Sequence, residues 1–152
     1  MELPDAEKLI QSCSASTQRL AREAIQAAID GLRDRRYEVA TAGQTLSSGR
    51  ALPGLAQVLA SHALIHTAEG EFFRQALVEA SGHCGLPVHG IKERELLERG
   101  AVQFRTTTAA LERQINAIGK SIGPPWTQDQ KYAALTAWIA LAQFSQDGDN
   151  RD

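Results

Sequence analysis

Apolar residues recur at helical spacing early in the chain and give way to shorter, mixed patterns after it. Apolar residues three or four apart predict a helix with one apolar stripe that ends near residue 34. The stripe consists of Leu20, Ala24, Ile25, Ala28, Ile29 and Leu32. β-Branched, aromatic and buried apolar residues predict three strands at 37–43, 63–66 and 86–91. The pattern thus turns from one long helix to alternating strands and helices.

The remaining segments are predicted to be helical. They are 55–62, 69–85, 93–101, 107–123 and 127–144, and the run Gly123-Pro124-Pro125 separates the last two. Strands that alternate with helices favour an α/β protein with three layers, in which a small, mainly parallel sheet has helices on both faces. We expect one domain overall, with an N-terminal helical arm at 1–36, an α/β core at 37–145 and a disordered tail at 146–152.

Three strands make a thin sheet for this length. An edge strand within 44–52, or pairing with a second copy of the chain, would extend the sheet. The chain carries 16 basic and 18 acidic residues, a net charge of −2, which argues against a strongly basic nucleic-acid surface. Four arginines that lie close in sequence could still form a local patch or a solvated helix end: Arg33, Arg35, Arg36 and Arg50.

The ends of the chain and its cysteines bear on its location. The acidic start lacks the basic and apolar regions of a signal peptide, and no apolar run approaches the roughly 20 residues that span a bilayer. Cys13 and Cys84 lie far apart and match no thiol motif. We expect a cytoplasmic protein with reduced cysteines and no membrane contact.

Polar residues follow the predicted middle strand directly. Ligands of open parallel sheets bind beyond the carboxyl ends of the strands, where His66, Thr67 and Glu69 are expected, with His89 after the third strand. Glu69 would then be a metal ligand or general base that His66 assists. Alternatively, Thr67 caps a helix and the charge of Glu69 favours the helix dipole.

A second helix start has similar chemistry. Thr127 can cap the last helix with Gln130 completing a capping box, which places Asp129 in the first turn beside Lys131. Trp126, next to two prolines, either belongs to a site or fills the core. Zinc is a further alternative, because all four histidines fall within 28 residues, although their spacing fits no usual ligand pattern. Neither a Gly-rich phosphate loop nor a GxSxG elbow is present.

Residues 54–142 resemble the second half of a ribonuclease H-like domain, as in RuvC-type Holliday-junction resolvases. The stretch 63–77 (ALIHTAEGEFFRQAL) is similar to the family's strand and catalytic glutamate, and 129–141 (DQKYAALTAWIAL) to its late aspartate-bearing helix. The resemblance implies that Glu69 and Asp129 hold Mg²⁺ or Mn²⁺ for phosphodiester cleavage. The family's first aspartate has no counterpart in the segment 37–43. The HTAEG and GPPWxxDxK motifs also resemble a group of uncharacterised bacterial proteins of similar size.

Three function hypotheses follow, and the sequence leaves open whether the protein is an enzyme. The first is a divergent ribonuclease H-like nuclease or nucleic-acid-binding protein that uses Glu69 and Asp129. The second is a non-catalytic, homodimeric interaction module, in which the stripe of Leu20, Ile25, Ile29 and Leu32 pairs with another chain. The third is a small-molecule enzyme built around His66 and Glu69.

Overall fold

The computed structural model describes residues 3–47, 49 and 51–149. Six α-helices and two β-strands follow one another in these residues. The helices are α1 (Leu3–Asp34), α2 (Leu55–Leu59), α3 (His62–His83), α4 (Leu96–Gln103), α5 (Thr108–Ile122) and α6 (Gln128–Asp149). The strands are β1 (Ala42–Leu46) and β2 (Val88–Lys92), and a 3-10 turn at Glu93–Glu95 precedes α4. The predicted α/β class and the long N-terminal helix are confirmed.

The chain divides into two compact units. The helical unit comprises the described residues of Met1–Val39 and Gly49–Leu86, and the sheet unit those of Ala40–Ser48 and Pro87–Asp152. These boundaries differ from the predicted arm and core, because α1 packs against α3 and shares a unit with it. Of the predicted disordered tail, residues 146–149 end α6, and 150–152 lie outside the described residues.

In the helical unit, α1 and α2 both pack against α3. Its buried apolar side chains are mostly small: Ala6, Ile29, Val58, Ala76 and Ala80. The side-chain amide of Gln18 on α1 also donates a hydrogen bond to Glu79 on α3. A layer of helices that meet through alanines buries little apolar area, so each helix keeps much of its surface exposed.

In the sheet unit, β1 and β2 pair in parallel with Ala42 opposite Val88 and Leu46 opposite Lys92. Parallel pairing was predicted and is confirmed. Helix α6 packs on the sheet, and α4 and α5 pack on α6. The core of this unit consists of larger side chains from β2, α4, α5 and α6: Ile91, Leu96, Leu111, Ile115, Leu135 and Ile139.

Two of the three predicted strands need correction. Residues 37–41 are not a strand, and β1 begins at Ala42, five residues later than predicted. Residues 63–66 lie inside α3 and form no strand. The hydroxyl of Ser61 accepts a hydrogen bond from the N–H of Leu64 at 3.4 Å and caps this helix. A short apolar run such as Ala63-Leu64-Ile65 suits a helix as well as a strand, and the cap decides for the helix.

Thr136 links α6 to β1 although its side chain is fully buried. Its hydroxyl donates to the carbonyl of Tyr132 at 2.7 Å, so the Thr45 hydroxyl, 3.0 Å away, donates to Thr136. We expect Thr136→Val to lower the free energy of unfolding by about 1–2 kcal/mol, because the Thr45 hydroxyl loses its acceptor. Urea denaturation measures this loss. The double variant with Thr45→Val removes both partners and should cost less than the two single losses added together; strictly additive losses would contradict the hydrogen bond.

Candidate interaction surfaces

The predicted site at His66 and Glu69 lies on the exposed surface of α3. The His66 Nδ1 atom is 3.5 Å from Glu69 Oε2, and the two side chains are 63% and 58% exposed. The rings of His62 and His66, one turn apart, meet edge to face at 4.5 Å. No strand ends here, so this pair does not lie at the edge of a sheet, where it was predicted. The structure brings His66 and Glu69 together as an exposed pair within one helix.

Thr67 and His89 also differ from their predicted positions. Thr67 does not cap a helix: it lies within α3, where its hydroxyl donates to the carbonyl of Ala63 at 2.9 Å. His89 does not follow a strand but lies inside β2, opposite Gly43 of β1. Neither residue therefore occupies the loop beyond a strand end that the prediction required.

The start of α6 contains one half of the predicted capping box, the bond from the Thr127 N–H to the side chain of Gln130. The N–H and hydroxyl of Thr127 both donate to the side-chain oxygen of Gln130, the former at 3.0 Å. Asp129 lies exposed in the first turn of this helix. Trp126 fills the core, one of its two predicted roles: its indole N–H donates to the carbonyl of Ile115 at 3.0 Å, and its ring packs on the core cluster.

A shallow groove of about 280 Å³ runs between α4, α5 and α6 of the sheet unit. Its floor is apolar, with Leu97, Ile115 and Leu135, and its polar edge includes Glu112 and Lys131. This volume is slightly below the roughly 300 Å³ at which ligand pockets usually begin. Of the residues predicted at the start of α6, only Lys131 is among those that line this groove.

The predicted metal ligands belong to different units, with Glu69 in the helical unit and Asp129 in the sheet unit. Among the described residues, no group of three or more His, Cys, Asp or Glu side chains could hold a metal ion. The Mg²⁺ or Mn²⁺ of the ribonuclease H-like hypothesis therefore stays a prediction. Over the same part of the chain, no helix has the length and apolarity needed to cross a bilayer.

An exposed stripe of apolar and small residues runs along α1, on the side roughly opposite Gln18, which bonds to α3, and the buried Ile29. Its members follow one another at spacings of three or four residues, and all are exposed: Leu9, Cys13, Ser16, Leu20, Ala24 and Ala27. We call this set the outer stripe. It differs from the predicted stripe, because Ile29 of that stripe is buried and Ile25 is half-buried. Over about 27 Å of helix, the outer stripe offers large side chains to solvent at Leu9 and Leu20.

The second surface is the free edge of β1 in the sheet unit. The N–H of Ala42 donates to the carbonyl of Pro87, and in a strand the backbone groups of successive residues point to alternate sides. The backbone groups of Gly43 and Thr45 therefore point away from β2. Consistent with this direction, the Thr45 carbonyl accepts a hydrogen bond from the side chain of Gln44 at 3.3 Å. The sequence suggested that an edge strand within 44–52 or a second copy of the chain extends the thin sheet, but not which edge is open.

No family model, no curated protein and no solved structure matches the chain. Its function is therefore inferred from the two surfaces described above.

Proposed function

We propose that the protein is a non-catalytic, homodimeric interaction module that pairs through the outer stripe of α1. The observation that carries this proposal is the exposure of Leu9 and Leu20, 53% and 55%, on one face of a 32-residue helix. Apolar surface of this length on a helix is typical of helix–helix contacts, since burying it removes apolar area from water.

A second copy of α1 fits the outer stripe because the stripe is complementary to itself. In an antiparallel pair centred near Gln18, Leu9 of one chain faces Ala27 of the other, and Leu20 faces Ser16. Each large side chain then meets a small one, the arrangement that lets two helices interdigitate closely. A contact in which each chain uses the same surface is also the commonest way in which identical chains pair.

The flanks of the stripe support the same arrangement. Arg19 and Glu23 form an ion pair of 2.8 Å within one helix, and Gln26 donates to Asp30 at 2.9 Å. These side chains are exposed and can remain in water at the rim of a helix pair. We also propose a cytoplasmic location, because the two free cysteines suit a reducing compartment.

Measuring the mass of the protein in solution tests the proposal. Light scattering after size-exclusion chromatography should give at least two chains of 16.5 kDa for the wild type. Leu20→Glu should halve that mass, because a charge would be buried against Ser16 of the other chain. Ala15→Glu is the matched control, since Ala15 is exposed on α1 outside the outer stripe. Equal masses for both variants, or a monomeric wild type, would overturn the proposal.

The same preparations test the nuclease hypothesis. Calorimetric titration of Mn²⁺ into the wild type and Glu69→Gln would reveal a metal site at Glu69 if saturable binding disappeared in the variant. That result would favour the ribonuclease H-like hypothesis over a non-catalytic module. Binding by neither protein would leave the predicted two-metal chemistry without a site.

A further inference from the structure

We propose that copies of this chain also pair through the β1 edge, strand to strand and antiparallel, to form a continuous four-stranded sheet. This contact goes beyond the α1 pairing of the proposed function and lies in the other unit. It rests on the geometry of the residues Ala42–Leu46.

The backbone groups that such a contact needs are available. The N–H groups of Gly43 and Thr45 form no hydrogen bond with any described residue and point away from β2. A strand edge with unpaired N–H and C=O groups is a template for another strand. A sheet of two strands is also smaller than the roughly four to six strands usual in folded domains.

The two edges of this sheet are not equivalent. β2 ends in Lys92 before the charged run Glu93–Glu95. Lysine and other charged side chains commonly protect an edge strand from pairing. β1 reads Ala-Gly-Gln-Thr-Leu and contains neither a charge nor a proline. The free edge of β1 therefore lacks the protection that β2 has.

A second copy of β1 is the occupant that this edge fits. With a two-fold axis at Gln44, Gly43 of each chain faces Thr45 of the other and both N–H and C=O groups of each pair are satisfied. The two Gln44 residues then face each other at the axis, where their Cα atoms would lie about 4.5 Å apart. Their side-chain amides can donate and accept across the axis, in place of the long 3.3 Å contact with Thr45.

The side chains next to this axis leave room for the pairing. Gly43 and Thr45 face α6, since a Cβ at Gly43 would meet the backbone of Thr136 and the Thr45 hydroxyl bonds to Thr136. Gln44 therefore lies on the opposite side of the sheet from α6, by the alternation of a strand. Replacing Gln44 leaves the packing of β1 on α6 intact, which makes it the residue to vary.

Cysteine cross-linking tests this contact directly. In a Cys13→Ser/Cys84→Ser background, Gln44→Cys should form a disulfide-linked dimer under mild oxidation, because about 4.5 Å between Cα atoms suits a disulfide. Ala42→Cys is the matched control, since its two copies would lie roughly 14 Å apart in the same pairing. We expect about tenfold more dimer from Gln44→Cys than from Ala42→Cys, as only the former meets the disulfide geometry. Equal yields would overturn the proposal.

Introducing charges at Gln44 gives a second test of the strand contact that does not depend on oxidation. Gln44→Lys should lose the strand contact because two ammonium groups would face each other, and so should Gln44→Glu. When the two variants are mixed, one chain of each should form the strand contact again, because the opposite charges then face each other. No recovery on mixing would contradict a two-fold axis at Gln44.

The strand contact and the helix contact can be separated. If both exist, the wild-type mass corresponds to four chains or more, because two different two-fold contacts close at four chains only when their axes intersect at right angles. Leu20→Glu or Gln44→Lys alone then reduces the assembly to two chains. If the α1 contact is wrong, Leu20→Glu leaves the mass unchanged while Gln44→Cys still cross-links. If the β1 contact is wrong, Leu20→Glu still halves the mass while Gln44→Cys cross-links no better than Ala42→Cys.

Discussion

Replacing Leu111 with alanine is expected to lower the free energy of unfolding of the sheet unit by about 2–5 kcal/mol. Leu111 is fully buried among the side chains of α4 and α6. Its truncation removes apolar contacts and leaves a cavity that the surrounding helices can only partly close. Urea denaturation of the two proteins gives the difference.

Gly100 on α4 provides a matched test of this explanation. A Cβ at Gly100 would lie 2.6 Å from Leu111 Cδ2, so Gly100→Ala should destabilise the wild type despite the better helix propensity of alanine. In the Leu111→Ala background the same methyl group enters the cavity, and Gly100→Ala should become stabilising. If Gly100→Ala had the same effect in both backgrounds, the two residues would not share one packed space.

The second large effect is expected at Gly43. A Cβ there would lie 2.7 Å from the backbone of Thr136 and Ala137. Because these are backbone atoms of α6, no side chain can rotate away, and β1 or the helix must shift. We expect Gly43→Ala to cost about 3 kcal/mol, near the upper end of overpacking effects.

Gly31→Ala is the control for this substitution. Gly31 lies within α1, and no heavy atom lies within 4 Å of a Cβ built on it. Alanine there should raise stability by up to about 1 kcal/mol through helix propensity alone. Thermal denaturation of both variants separates a steric clash from a general effect of losing glycine. An unchanged midpoint for Gly43→Ala would show that β1 does not approach α6 this closely.

The elements with strong local signals could be predicted from the sequence. Thr107 caps α5, the side chain of Gln130 accepts from the Thr127 N–H at the start of α6, and Gly123 separates the two helices at a positive φ of 85°. Such signals act between residues that are close in sequence, so they do not depend on the tertiary structure of the rest of the chain. The end of α1 near residue 34 was predicted correctly for the same reason.

The segment 63–66 shows where sequence reasoning failed. Its apolar run is too short for its periodicity to distinguish a strand from a helix. The residue that favours the helix is its N-cap, Ser61, two residues upstream. The predicted site depended on that strand, so its position failed with it, although His66 and Glu69 do lie side by side. The β1 edge was equally hidden, because which backbone groups are free depends on the pairing of Ala42 with residues 46 positions away.

The placement of the aromatic side chains has a practical consequence for spectroscopy. Both tryptophans lie in the sheet unit. The Trp126 indole N–H donates a hydrogen bond to the carbonyl of Ile115, and Trp138 stacks on Phe104 with ring centroids 4.2 Å apart. Intrinsic tryptophan fluorescence therefore follows the sheet unit alone, whereas the long helices α1 and α3 contribute strongly to the far-ultraviolet circular dichroism. Recording both signals during one denaturation compares the two units within a single sample. Coincident midpoints mean cooperative unfolding, and separate midpoints give each unit its own stability.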